Sequence, residues 1–132
     1  MERTPALTIV HFNDVYEITE GAREPIGGAA RFQALLKSLR AAHPNLLVLF
    51  SGDAFSPSVM SSVSGGKHMV DILNEIGIHS ATLGNHDFDF GIEACEILSR
   101  STHCFPWMMA NVLDGEGKLI AGGLYTAYNW CV

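Results

Sequence analysis

The sequence predicts an α/β fold with parallel strands joined by crossover helices. Three observations carry this prediction. Short apolar, β-branched runs alternate with stretches whose apolar residues recur at helical spacing. The order strand-helix-strand repeats three times and ends on a fourth strand, as right-handed crossovers require. Each of the first three runs ends in a cluster of polar residues, and ligands of such sheets gather outside the carboxyl ends of the strands.

The first run is Ala6-Leu7-Thr8-Ile9-Val10-His11-Phe12, which reads as a buried strand. It leads into Asn13-Asp14-Val15-Tyr16-Glu17 and a polar loop to about residue 26. Gly27-Gly28 then opens a helix with Ala29, Phe32, Leu35, Leu36 and Leu39 on one face. His43-Pro44-Asn45 stops it. Leu46 to Phe50 is the second buried strand, running into Ser51-Gly52-Asp53-Ala54-Phe55-Ser56. Serines and glycines dominate to Gly66 and read as loop. Met69, Ile72, Leu73 and Ile76 mark a second helix closed by Gly77.

Ile78 to Leu83 is the third strand. It delivers the chain to Gly84-Asn85-His86-Asp87-Phe88-Asp89-Phe90-Gly91, an unusual density of polar chemistry for a connection. Plain roles exist for single members. Asp89 could cap the following helix, and Asn85 could occupy a left-handed turn. A third helix covers about 91–101, with Ala94, Cys95 and Leu98 as its apolar stripe. Phe105 to Val112 gives a fourth strand, Asp114-Gly115-Glu116-Gly117 a turn, and Leu119 to Tyr128 a further strand pair.

Composition narrows the function. The 132 residues are 48% hydrophobic and 17% charged, a globular balance in one domain. The net charge of −6 excludes a basic nucleic-acid surface. The three cysteines, Cys95, Cys104 and Cys131, have neither disulfide-framework nor zinc spacing. No apolar run approaches the roughly 20 residues that span a bilayer. The short, polar start is not a signal peptide, so a cytoplasmic protein without membrane association is expected.

Asp14, Asp53 and Asn85-His86 follow three successive strands and should meet at one sheet edge. Carboxylate and amide oxygens suit hard divalent cations such as Mg²⁺ or Mn²⁺, and imidazole extends the choice to Zn²⁺ or Fe. A carboxylate can bridge two metals about 4 Å apart, and such a pair can drive phosphoryl transfer with an activated water. His86 can donate a proton to a leaving alkoxide, and Asp89, three residues on, can orient its ring. Ser51 and Ser56 lack a partner base and read as loop residues, and His11 reads as structural.

His11-Phe12-Asn13-Asp14, Gly52-Asp53 and Gly84-Asn85-His86-Asp87-Phe88-Asp89 together resemble the first three blocks of the calcineurin-like metallophosphoesterases. The Gly27-Gly28-x-x-Arg31 helix start and Ala110-Asn111-Val112 are similar to the 5′-nucleotidase branch. The resemblance covers about residues 7–128. It implies the amino-terminal half of a four-layer α/β/β/α sandwich and hydrolysis of a phosphate ester, a nucleotide by the closer match. It implies two divalent metal ions (Mn, Zn, Co, Fe or Mg). Asp14 would bind the first metal, Asp53 would bridge both, and Asn85 would bind the second. His86 paired with Asp89 would face the phosphate, and Asn111 would line the site.

Two departures stand out. Where the family has Asp-x-His, the third position is Tyr16. Its phenol, with a pKa near 10, is a doubtful ligand and better suited to packing or outer support. The family's later Gly-His and Gly-His-x-His blocks are not found among the six histidines. The expectation is therefore a truncated domain over 6–128, a tail of uncertain origin at 129–132, and a sheet face open to association. The alternative is a fragment that binds metal or phosphate weakly without turnover.

Overall fold

The computed structural model describes residues 5–120. Its elements are strand β1 (Thr8–Phe12), helix α1 (Ala29–Ala42), strand β2 (Leu46–Phe50), helices α2 (Val59–Ser64) and α3 (His68–Ile76), strand β3 (Ser80–Ala81) and helix α4 (Ile92–Ser101). A 3₁₀ turn at His86–Phe88 precedes α4. The strands form one parallel sheet in the order β1-β2-β3, with Thr8 opposite Leu46 and Phe50 opposite Ala81. The α/β class with parallel strands and crossover helices is therefore observed.

Alternation along the strands divides the sheet into two unlike faces. Leu46, Val48 and Phe50 of β2 are buried. Their neighbours across the ladder, Thr8, Val10 and Phe12, share that face, and Phe12 meets Phe32 of α1 edge-on at 4.8 Å. Leu36 of α1, Met69, Leu73 and Ile76 of α3, and Cys95 and Leu98 of α4 complete the core with Phe55 and Trp107. Burial in this core pushes the Cys95 thiol up to about 12, so it stays protonated and inert. Cys95 and Cys104 are both free thiols.

The expected burial of β1 holds on one face only. Ile9 is 53% exposed and Leu7 40%, while Leu47 and Leu49 beside them on β2 are half-buried. As the edge strand, β1 has a neighbour on one side, and its Ile9 and His11 side chains lie open.

Three elements differ from expectation. The third strand is a two-residue ladder instead of 78–83. Just before its start, His79 Nδ1 accepts the Val48 N–H at 3.0 Å, so a ring takes the place of a strand carbonyl. Burial, with the Arg40 charge adding to it, holds the His79 pKa down and keeps that nitrogen an acceptor. The fourth strand shrinks to one parallel bridge between Ala81 and Trp107. Pro106 has no N–H to extend it, although its carbonyl accepts from Ala81. Phe105, Trp107 and Met109 still alternate inward as a strand would. The serine-rich stretch hides α2, which is held by a capping box in which Ser58 and Ser61 exchange hydrogen bonds.

The turn at 114–117 is present, with Asp114 N–H donating to the Lys118 carbonyl at 2.7 Å. It brings Leu113 and Leu119 into an antiparallel bridge. The rest of the expected strand pair to Tyr128, the tail at 129–132 and Cys131 lie outside the described residues. Among the described residues, no helix is long and apolar enough to cross a membrane.

Candidate active site

The loops after β1, β2 and β3 are joined by their backbones. Asp14 N–H donates to the Gly52 carbonyl and Val15 N–H to the Asp53 carbonyl, both at 3.1 Å. Gly52 and Gly84 touch so closely that a Cβ on Gly52 would overlap the backbone of Leu83 and Gly84. A Cβ on Gly84 would fall on the Asp53 carboxylate. Glycine at both places is what lets the second and third loops meet.

Asp87 locks this junction. It is fully buried and accepts four backbone N–H groups: Asp53 and Gly84 on Oδ2, each at 2.9 Å, and Ala54 and Phe55 on Oδ1 at 2.8 and 3.0 Å. A buried carboxylate is tolerated only when its oxygens are satisfied in this way. Asp53 adds a reciprocal link, its Oδ1 accepting the His86 N–H at 2.8 Å.

Asp14 and Asp53 are the two non-glycine residues with left-handed backbone among those described, at φ 55° and 60°. Such strain clusters where function fixes a side chain's direction. Asn85 has φ −70°, so the left-handed turn suggested for it belongs to the aspartates instead. Asn85 is exposed, between the Gly84 that abuts Asp53 and the His86 that bonds it, and its side-chain amide has no hydrogen-bond partner among the described residues.

His86 Nδ1 and Asp89 Oδ2 lie 3.0 Å apart, and Ser56 Oγ donates to the same Oδ2 at 2.8 Å. Asp89 therefore does not cap α4; Gly91 occupies that position. The His86 pKa is raised, first by the hydrogen bond to Asp89 and then by the negative charges of Asp89, Asp53 and Asp14. Asp89 is lowered by the bonds from His86 and Ser56. The charged pair thus contributes stability between the depressed Asp89 pKa and the raised His86 pKa. The contribution is lost as pH rises through the latter or falls through the former. Both side chains are largely solvated, so the contribution is small. In an NMR titration the His86 ring should show a midpoint above 6.5, and Asp89→Ala should bring it back toward that value.

The remaining expected residues lie at the margin. Tyr16 is half-buried, and the structure shows its backbone carbonyl held by His68 Nε2 at 3.2 Å. His68 is in turn held by Ser64 on α2 at 2.8 Å. Asn111 is exposed, and no hydrogen bond ties it to the cluster. His11 is on the open sheet face and contacts Ser51. Sequence reasoning missed Asp87, Ser56 and His68, because a partner more than thirty residues away leaves no local pattern.

Asp53 keeps Oδ2 open, Asp14 is exposed, and Asn85 adds an uncommitted amide oxygen. These oxygens suit part of the shell of a hard divalent cation. Among the described residues, no three His, Cys, Asp or Glu side chains group as a ligand set. A cavity of about 570 Å³ lies apart from this cluster, lined by apolar groups such as Phe32, Leu35, Met69 and Ile72. Val15, Glu17, Glu24 and Arg31 also line it.

The family model for calcineurin-like phosphoesterases matches residues 7–130. The chain belongs to the calcineurin-like phosphoesterase family. Within the family it is 32% identical over 135 aligned positions to the 5′-nucleotidase of Bos taurus and 33% identical to that of Homo sapiens. Each alignment takes in 92% of this chain and 23% of the relative, so the chain spans about a quarter of their length. Among solved structures, the NAD nucleotidase of Haemophilus influenzae superimposes with a TM-score of 0.74 at 31% identity, over 84% of this chain and 22% of that one. The 5′-nucleotidase precursor of Thermus thermophilus gives 0.68 at 28% identity, over 80% and 22%.

Proposed function

We propose that the chain carries part of the active site of a metal-dependent phosphoric ester hydrolase of the 5′-nucleotidase kind, with a nucleotide as substrate. The observation that carries this reading is the junction of three strand-end loops. It sets two strained aspartates beside an imidazole whose Nδ1 is already engaged by a carboxylate. The likeness to 5′-nucleotidases supports the substrate class.

Asp14, Asp53 and Asn85 would hold the divalent metal ions. When bound, the ions supply Lewis-acid polarisation of the phosphate and activation of a water nucleophile. The chain's own contribution is positional and protonic. His86, held at Nδ1, would present Nε2 toward the phosphate ester, and it is protonated more readily than a free imidazole because of the hydrogen bond to Asp89 and, after it, the negative charges of Asp89, Asp53 and Asp14. It can therefore pass a proton to the departing alkoxide. Asp53, oriented by the His86 N–H, cannot move without moving the general acid.

The test is phosphate release from a nucleoside 5′-monophosphate by the full chain with added Mn²⁺, Co²⁺ or Zn²⁺. Turnover that chelation abolishes and metal restores is expected. Release that persists in excess chelator would overturn the metal-dependent reading.

A further inference from the structure

We infer that Ser56 is a positioning residue for His86, acting through Asp89. The inference rests on the hydrolase reading for its catalytic consequence, and on geometry alone for the positioning itself.

His86 and Asp89 are both largely solvated, with 42% and 40% of their side chains exposed. A pair of that kind on a surface is held weakly, because each side chain has other rotamers in water. What distinguishes this pair is the group beneath it. Ser56 is 5% exposed, and its hydroxyl donates to Asp89 Oδ2, the same oxygen that meets His86 Nδ1. The hydroxyl has one proton, and the carboxylate takes it.

The two backbones that carry this chain of contacts are already fixed to each other. Asp87 binds the N–H groups of Asp53, Ala54 and Phe55 on one side and of Gly84 on the other. Ser56 follows directly on the first segment, and Asp89 is two residues beyond Asp87. The buried serine thus refers the carboxylate, and through it the ring, to the rigid junction of the loops. Asp89 in turn selects the imidazole tautomer with the proton on Nδ1, leaving Nε2 as the nitrogen that faces outward. Without Ser56 the carboxylate is free to rotate, and the ring loses its preference.

The experiment reads the tautomer of His86 in the full chain by ¹⁵N NMR of the imidazole, at a pH where the ring is neutral. The expected wild-type result is one dominant Nδ1–H form. Ser56→Ala should give a mixture of both forms, as should Asp89→Ala, while the Asp53, Ala54 and Phe55 amides remain protected from exchange. Ser56→Thr, which keeps the hydroxyl, should restore the single form. With nucleotide substrate, Ser56→Ala should lower kcat by about tenfold with little change in KM. A Ser56→Ala ring with the wild-type tautomer ratio overturns the inference, whatever happens to turnover. A wild-type chain that shows the tautomer effect but releases no phosphate counts against the hydrolase reading and leaves the positioning role standing.

Discussion

Replacing His86 with alanine is expected to lower phosphate release by roughly 10²- to 10⁴-fold, the range for losing a positioned general acid. The loss should appear in kcat, because the ring acts on the leaving group rather than in ground-state binding. Stability should scarcely change. The side chain is largely solvated, and the bond that ties this residue to Asp53 comes from its backbone N–H, which alanine retains. Rate measurements alongside a denaturant midpoint separate the two effects. An unfolded variant would place His86 in the scaffold, and full activity would remove it from the chemistry.

The second large effect is on stability. Asp87→Ala should lower the free energy of unfolding by about 3–5 kcal/mol, because it strands buried donors that a charged acceptor now satisfies. Four backbone N–H groups lose their partner at once, and the gap left behind is too deep for bulk water to enter freely. Equilibrium unfolding in urea measures this directly. The contrast is Asp14→Asn, which removes a charge at an exposed position yet keeps a residue that tolerates φ 55°. Its midpoint should stay within error of the parent, while metal-dependent turnover falls. The site therefore separates into residues that hold the loops and residues that face the ligand, although both kinds are aspartates.

That separation marks the limit of what the sequence displays. The continuous apolar run of Leu46–Phe50 and helical spacing in Ala29–Ala42 are local signals, and both elements stand where those signals put them. The strand-end positions of Asp14, Asp53 and Asn85 follow from topology, since three parallel strands with crossovers leave all their carboxyl ends on one edge. The third and fourth strands are shorter than expected where tertiary contacts intervene, a histidine ring bonding Val48 before the third and a proline without an N–H before the fourth. Helix α2 escapes because serine is a poor helix former, and its Ser58–Ser61 box lacks the acidic member that usually announces a start. Asp87 is hardest of all to read. Beside Asn85, His86 and Asp89 it looks like one more ligand, and only its complete burial shows that it faces inward.

The glycines make the same point from the other side. Gly52 and Gly84 are ordinary loop glycines by sequence. In the fold each leaves out a Cβ that would strike the other loop. The aspartates at positive φ sit beside this junction, the Asp14 carboxylate bonded by the Asn13 amide and the Asp53 carboxylate by the His86 N–H.

The central claim is that Asp14, Asp53 and Asn85 share one cation-binding edge beside His86. Paramagnetic broadening of the full chain's amide resonances by substoichiometric Mn²⁺ tests it most directly. The amides of Asp14, Asp53, Asn85 and His86 are expected to broaden first and together, and Asp53→Asn is expected to weaken the effect at all four. Broadening spread evenly over the fourteen acidic residues, or centred elsewhere on the chain, would contradict it.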